Sequence, residues 1–273
     1  MRTIFCGQKN VALTALDDIL QRGWEVLCVA PRSAEPEWRE RPHFAEGLKQ
    51  RKLDFATQAE VLNTMAGRGG PAPVEQFLSE PVDLVISYLF PERVQTPLLQ
   101  LPTIAAINMH PAPLPEYGGM SGYNDAILDQ RKTYGVTAHH MDETFDTGDI
   151  ILKREFSFDC DTVTAVELER MTRPCLAQTF RELVAMIDSG EPLPRIPQSE
   201  THYVNRQQFE ASKILDLANE TAESLERKAR AFWYPPYDGA HFLIDGRKFS
   251  IVPNRELEQL ARMIHSERDA PSK

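Results

Sequence analysis

Residues 103–123 read "TIAAINMHPAPLPEYGGMSGY". An apolar run over 104–107 stops at Asn108, Met109 and His110, and Pro111, Pro113 and Pro115 follow, then Gly118 and Gly119. Successive side chains of a strand point to opposite faces, so Asn108 and His110 project together and Met109 points away. Comparable short apolar runs occur at 2–7 ("RTIFCG"), 24–30 ("WEVLCVA") and 81–90 ("PVDLVISYLF"). Between the first two, Val11, Leu13, Leu16, Ile19 and Leu20 recur at helical spacing. Further helices are expected at 43–52 and at 91–101, the latter begun by Pro91. Strands alternating with helices predict a doubly wound, mostly parallel α/β sheet. Ligands of such sheets bind beyond the carboxyl ends of the strands, where Asn108 and His110 fall.

Downstream, 65–73 ("MAGRGGPAP") is rich in Gly and Pro and reads as a loop, and 122–132 reads as a helix. Residues 134–141 ("YGVTAHHM") and 149–158 ("DIILKREFSF") read as strands of a hairpin around "DETFDTG". A long helix is expected over 162–190, with Pro174 a break or kink and Gly190 marking its end. The pattern changes near residue 200. This predicts a domain at 1–200 and a small C-terminal region at 201–273. The latter comprises a polar helix at 206–230, an aromatic turn "FWYPPYDG", a hairpin turning at Asp245 and Gly246, and a frayed tail at 267–273.

The chain has 273 residues, 42% hydrophobic and 26% charged, ordinary values for a globular protein with a sizeable core. No apolar run approaches the roughly 20 residues that span a bilayer, and "MRTIFCGQKN" is no secretory signal, so no membrane insertion and a cytoplasmic location are expected. A net charge of -10 argues against nucleic acid as partner, since phosphates demand Lys and Arg. Cys6, Cys28, Cys160 and Cys175 form no C-x-x-C pair and read as buried, reduced thiols.

An Asn amide can donate to an oxyanion, and a neutral His can accept a proton near pH 7, a combination suited to acyl transfer. Alone, the pair is better explained as an ordinary strand end, because such residues are common at loop starts. Asp146, before Thr147 and Gly148, can fix a histidine tautomer; Asp142, Glu143 and Asp149 by themselves read as solvated or turn-forming carboxylates. His139 and His140 face opposite sides of a strand and form no compact chelate, which leaves a metal site of His110, His139 and Asp146 a lesser alternative. "GQKNVA" is neither a dinucleotide fingerprint nor a Walker loop, although Lys9 can meet a phosphate at a helix start. The aromatic turn is equally a hydrophobic plug, a dimer contact or a stacking platform for a nucleobase.

"AINMHPAPLPEYGG" together with "YGVTAHHMDETFDTGDII" resembles the core of the folate-dependent formyltransferases. That family carries Asn-x-His, then Leu-Pro and a Gly-containing loop, then an Asp in Asp-x-Gly; here these are Asn108, His110, Leu114, Pro115, Gly118 or Gly119, and Asp146. The resemblance implies a formyltransferase-type Rossmann-like core with a small C-terminal helix and β-hairpin appendage. It implies formyl transfer from N10-formyltetrahydrofolate to an amine without a metal. Asn108 then steadies the oxyanion, His110 takes the amine proton, and Asp146 orients His110 and passes the proton on. Folate is expected along Ser87, Tyr88, Leu89 and Phe90 and along Met141, Asp142, Glu143 and Thr144. Residues 118–128 and the tail look most like the sugar-nucleotide N-formyltransferases, which implies an NDP-linked amino-dideoxysugar as substrate, surface polysaccharide as its destination, and a homodimer. Lys9, Pro113, Tyr117, Gly119, Tyr123, Trp233 and Tyr234 are the candidate substrate contacts. The loop lacks the Arg usual before its glycine and, in the tRNA-type enzymes, the Pro that follows. The alternatives are a methionyl-tRNA-type formyltransferase, for which the chain looks short and acidic, and a metal-dependent hydrolase.

Overall fold

The computed structural model describes residues 1–7, 9–30, 41–53, 55–200 and 202–268. In chain order the elements are β1 (Arg2–Gly7), α1 (Val11–Leu20), β2 (Glu25–Ala30), α2 (Arg41–Gln50), β3 (Phe55–Thr57), α3 (Gln58–Met65), α4 (Ala72–Leu78), β4 (Leu84–Tyr88), α5 (Thr96–Leu99), β5 (Ala105–His110) and β6 (Gly118–Gly119). They continue with α6 (Gly122–Leu128), β7 (Thr133–His140), β8 (Ile150–Ser157), α7 (Ala165–Ser189), β9 (Tyr203–Val204), α8 (Arg206–Ser212), α9 (Ala222–Ala231), β10 (His241–Ile244), β11 (Arg247–Ser250) and α10 (Asn254–Arg268).

Seven strands form one sheet in the order β3-β2-β1-β4-β5-β7-β8. From β3 to β5 all pairings are parallel. β7 runs antiparallel to β5. His140 N–H donates to the Asp149 carbonyl, which closes a β7–β8 hairpin around the loop as the sequence predicts. The strands read as continuous apolar runs because both faces are covered. On one face Phe5, Ile86, Tyr88, Ile107 and Met109 pack against Leu16 and Ile19 of α1, Leu48 of α2 and Phe180 and Leu183 of α7. On the other, Ile4, Val29, Val85 and Ala106 pack against Val61, Phe77 and Leu98 of α3, α4 and α5. Met109 therefore faces away from Asn108 and His110. The cysteines are all free and buried, and burial pushes the Cys28 thiol up to about 12.

Several boundaries differ from expectation for local reasons. The helix expected from Pro91 starts only at Thr96, with Pro97 in its first turn. The loop at 65–73 shortens, because α3 ends at Met65 and α4 starts at Ala72. The 206–230 helix is two helices. Between them Asp216 accepts from Ala218 N–H and Asn219 Nδ2, an Asx-type turn that competes with helix. α7 runs through Pro174 instead of breaking there. α10 was not anticipated; it takes in the first residues of the expected tail, whose end, 269–273, lies outside the described residues.

The chain divides into two compact units, each assembled from separate stretches. The first comprises 1–118, 135–156 and 172–203; the second comprises 119–134, 157–171 and 204–273. The last crossing lies near the residue-200 division, but the second unit also draws on α6 and the start of α7. Within it, the buried Arg230 donates to the carbonyls of Cys160 (2.6 Å) and Val163 (3.1 Å), and Asn124 Nδ2 donates to the Ala231 carbonyl. Asp245 and Gly246 both have positive φ, +48° and +74°, as the two-residue turn between β10 and β11 requires.

The first unit's sheet depends on α7. Phe180 is fully buried edge-on against Phe5 and Tyr88. Phe180→Ala is expected to cost about 3–5 kcal/mol, measured as a lowered midpoint in urea unfolding.

Candidate active site

The antiparallel register sets Asn108 opposite His139 and His110 opposite Thr137. Directly opposed residues of neighbouring strands share a face and touch. Four side chains thus line one patch at the carboxyl end of β5, and the loop between β7 and β8 adds a fifth, Asp146. Its Oδ1 lies 3.3 Å from Asn108 Nδ2, 3.4 Å from His110 Nδ1 and 3.6 Å from His139 Nε2. Asn108 Nδ2 is also 3.1 Å from His139 Nε2. His110 and His139 are buried, and Asp146 is 9% exposed.

The backbone holds this cluster from several sides. Asp146 has φ +58°, a conformation few non-glycine residues adopt, and one associated with functional sites. Gln198 Nε2 donates to the carbonyls of Asp146 (3.1 Å) and Gly148 (2.5 Å), holding the turn from outside. A Cβ on Gly148 would fall 1.9 Å from the His140 carbonyl oxygen, so no side chain fits there. Thr137 Oγ1 donates to the Ala112 carbonyl and accepts from Leu114 N–H, fastening the proline loop to β7. Tyr117 N–H donates to the Pro113 carbonyl, and Gly118 N–H to that of His202.

Tyr117 and His110 meet through the backbone: His110 Nε2 lies 2.8 Å from the Tyr117 carbonyl oxygen. A carbonyl only accepts, so Nε2 carries the hydrogen and the second ring nitrogen, Nδ1, faces Asp146. The proton-accepting atom of His110 is therefore the one beside the carboxylate. Nδ1 and Asp146 Oδ1 face each other at 3.4 Å. Among the described residues no group of three His, Cys, Asp or Glu side chains is placed to hold a metal ion.

The other expected contacts separate into kinds. Ser87 pairs with Asn108 in the sheet and is buried. The Tyr88 side chain is fully buried between Phe5 and Phe180, its hydroxyl has no hydrogen-bond partner among the described residues, and burial pushes its phenol well up. It is a core residue, with only its backbone available to a ligand. Leu89 turns the chain with φ +54°; Phe90 and Met141 lean on the second apolar cluster and stay part-exposed. Asp142 accepts from Thr144 and Thr147, shaping the loop, and Glu143 is exposed. Lys9 is half-buried just past β1, and Pro113 and Tyr117 are buried in the proline loop. Gly119, Tyr123, Trp233 and Tyr234 belong to the second unit. There Tyr123 packs on Tyr134, and Trp233 Nε1 donates to Glu256 Oε2 of α10, while Tyr234 packs on Tyr237.

Sequence reasoning passed over Thr137, Gln198 and the Phe145–Tyr203 pair. Phe145 stacks on Tyr203 with the Arg93 guanidinium 5.9 Å from the Phe145 ring, and burial, with a smaller push from the Asp146 charge, raises the Tyr203 phenol. His139 was weighed only as a metal ligand. The period-two alternation from Thr137 to His139 was visible, but the register that brings them to Asn108 was not.

The sequence pattern of the formyl transferase family matches residues 1–181. Curated relatives include the methionyl-tRNA formyltransferase of Clostridioides difficile, 27% identical over 79% of this chain and 66% of that protein. The corresponding protein of Syntrophomonas wolfei is 27% identical over 93% of this chain and 79% of its own length. The chain thus spans just under two thirds of the first of these relatives. Among solved structures, a 4-N formyltransferase from Francisella tularensis superimposes with a TM-score of 0.74 at 19% identity, covering 92% of this chain and 96% of that one. An N-formyltransferase from Helicobacter canadensis, solved with folinic acid and dTDP-3-aminofucose, gives 0.69 at 19% identity over 90% and 85%. At such identity these two share the fold. Because the family pattern runs from β1 into α7 and takes in the whole Asn108, His110 and Asp146 cluster, the chain belongs to the formyl transferase family.

Proposed function

We propose that this protein transfers the formyl group of N10-formyltetrahydrofolate to the amine of an NDP-linked amino-dideoxysugar for surface polysaccharide. The observation that carries the formyl-transfer part is the meeting of Asn108, His110 and Asp146 within 3.4 Å contacts on one buried oxygen. For the sugar, the support is the end-to-end likeness to the Francisella tularensis 4-N formyltransferase, over 92% of one chain and 96% of the other. The Helicobacter canadensis neighbour, solved with folinic acid and dTDP-3-aminofucose, supports both ligand classes.

The folate supplies a formyl carbon on an aryl-substituted nitrogen, whose lone pair is shared with the ring and which therefore departs more readily than an ordinary amide nitrogen. The part-exposed Phe90 and Met141 suit a flat apolar ring, and the turn at Leu89 presents backbone rather than side chain to it. During transfer a bond forms between the acceptor nitrogen and the formyl carbon, and the bond to the folate nitrogen breaks. One proton must leave the acceptor and one must reach the departing nitrogen. The His110 Nδ1 and Asp146 Oδ1 pair holds such a proton and returns it. Asn108 donates to the carbonyl oxygen as negative charge builds there.

A methionyl-tRNA acceptor is the second reading, favoured by the 27% identity to proteins of that name. The net charge of -10 opposes it, because tRNA binding needs cationic surface. The experiment is incubation with formyltetrahydrofolate and a panel of amino-sugar nucleotides, read as a mass gain of one formyl group. Formylation of charged initiator tRNA, with none of the sugars modified, overturns the sugar reading.

His110→Asn and Asp146→Ala are expected to lower kcat about 100- to 10,000-fold with unchanged thermal stability. Asn108→Ala is expected to lose about 3 kcal/mol of transition-state stabilisation, read from kcat. Near-normal turnover in all three would place the chemistry elsewhere.

A further inference from the structure

His139 is buried at the centre of the cluster, yet neither the formyl-transfer reading nor the family pattern of Asn108, His110 and Asp146 gives it a task. Its Nδ1 lies 2.8 Å from the His140 carbonyl oxygen, which can only accept. Nδ1 therefore carries the hydrogen. That carbonyl is itself fixed, because Gly148 packs so closely on it that a Cβ would overlap. In the neutral ring Nε2 is then a lone pair, and it points at Asn108 Nδ2, 3.1 Å away.

We propose that His139 is a positioning residue for Asn108: a neutral imidazole, locked as its Nδ1–H tautomer, that accepts one amide hydrogen of Asn108 and so decides which end of that amide faces the reaction. An Asn amide can rotate by half a turn and present either oxygen or nitrogen. Its oxygen against the lone pair of Nε2 and the carboxylate of Asp146 would be repelled by both. With nitrogen inward, one hydrogen is anchored on His139. The other makes the longer, 3.3 Å hydrogen bond to Asp146 Oδ1 and is the weaker-held one, available to a developing oxyanion. Titratable groups around His139 include His110, whose ring centre is 6.5 Å away, Asp146, 3.6 Å from Nε2, and the adjacent His140. A hydrogen on Nε2 would point at the hydrogens of Asn108 Nδ2, 3.1 Å away, which the lone pair accommodates.

The activity arm of the test rests on the formyl-transfer reading. His139→Phe keeps the ring volume and removes the acceptor; it is expected to lower kcat on the order of 100-fold with KM for formyltetrahydrofolate unchanged. His139→Gln places an oxygen near the Nε2 position and is expected to recover much of the loss. A kcat unchanged by His139→Phe, or no recovery in the Gln variant, overturns the proposal. A second arm needs no substrate and stands if the acceptor is misassigned. Nitrogen NMR of histidine-labelled wild-type protein, with the His139 signals identified by their absence from the Gln variant, is expected to show a neutral ring protonated on Nδ1. A ring protonated on Nε2 overturns the proposal whatever the activity data show.

Discussion

The antiparallel docking of β7 onto β5 is the constraint on which the site depends. A sheet that had continued in parallel would have placed the chain after β5 on a crossover, away from the strand end. Instead, after β6 and α6, β7 returns antiparallel beside it, so Thr137 and His139 oppose His110 and Asn108. A slip of one residue would turn Ala138 and His140 toward Asn108 and His110 and leave the polar pair in the apolar core beside Met109. Register here is held by burial on both faces of the sheet, and the chemistry inherits its precision from that packing.

Converging on a single carboxylate oxygen has an energetic side. Buried polar groups are costly unless satisfied, and a network is stable only when its members agree on where the hydrogens lie. Two backbone carbonyls, those of Tyr117 and His140, settle that question for the two imidazoles. They cannot be flipped or protonated, so each fixes a hydrogen on the nitrogen it faces. The positive φ of Asp146 is the local cost of bringing the carboxylate in, and Gln198 offsets it by tying down the turn.

Much of this was legible in the sequence. The parallel strands were readable as continuous apolar runs, and Asn108 and His110 shared a face by strand alternation alone. The Asp245–Gly246 turn follows from the only residues that tolerate its backbone. What could not be read depended on contacts between distant segments. Gln198 is 52 positions from Asp146, and nothing in its neighbourhood marks it. Tyr88 is an expected folate contact only by the family resemblance, which implies backbone contacts there; its even spacing from Ile86 puts its side chain on the core face. Helix 206–230 failed at Asp216, where side-chain competition for the backbone outweighed the polar helical pattern. The aromatic turn is open in the sequence between plug, dimer contact and stacking platform; in the structure Phe232 is buried, and the half-buried Trp233 donates from its indole to Glu256 of α10.

Gly148 shows how far a small substitution can reach. The glycine holds no charge and has no side chain to offer the cluster. It is simply thin enough to let one carbonyl stay where it is. Since that carbonyl dictates which nitrogen of His139 is protonated, adding a methyl group in the loop would be felt as a misplaced hydrogen on the neighbouring strand. Tolerance to change at this position is therefore set by acid–base chemistry, although the residue itself has none.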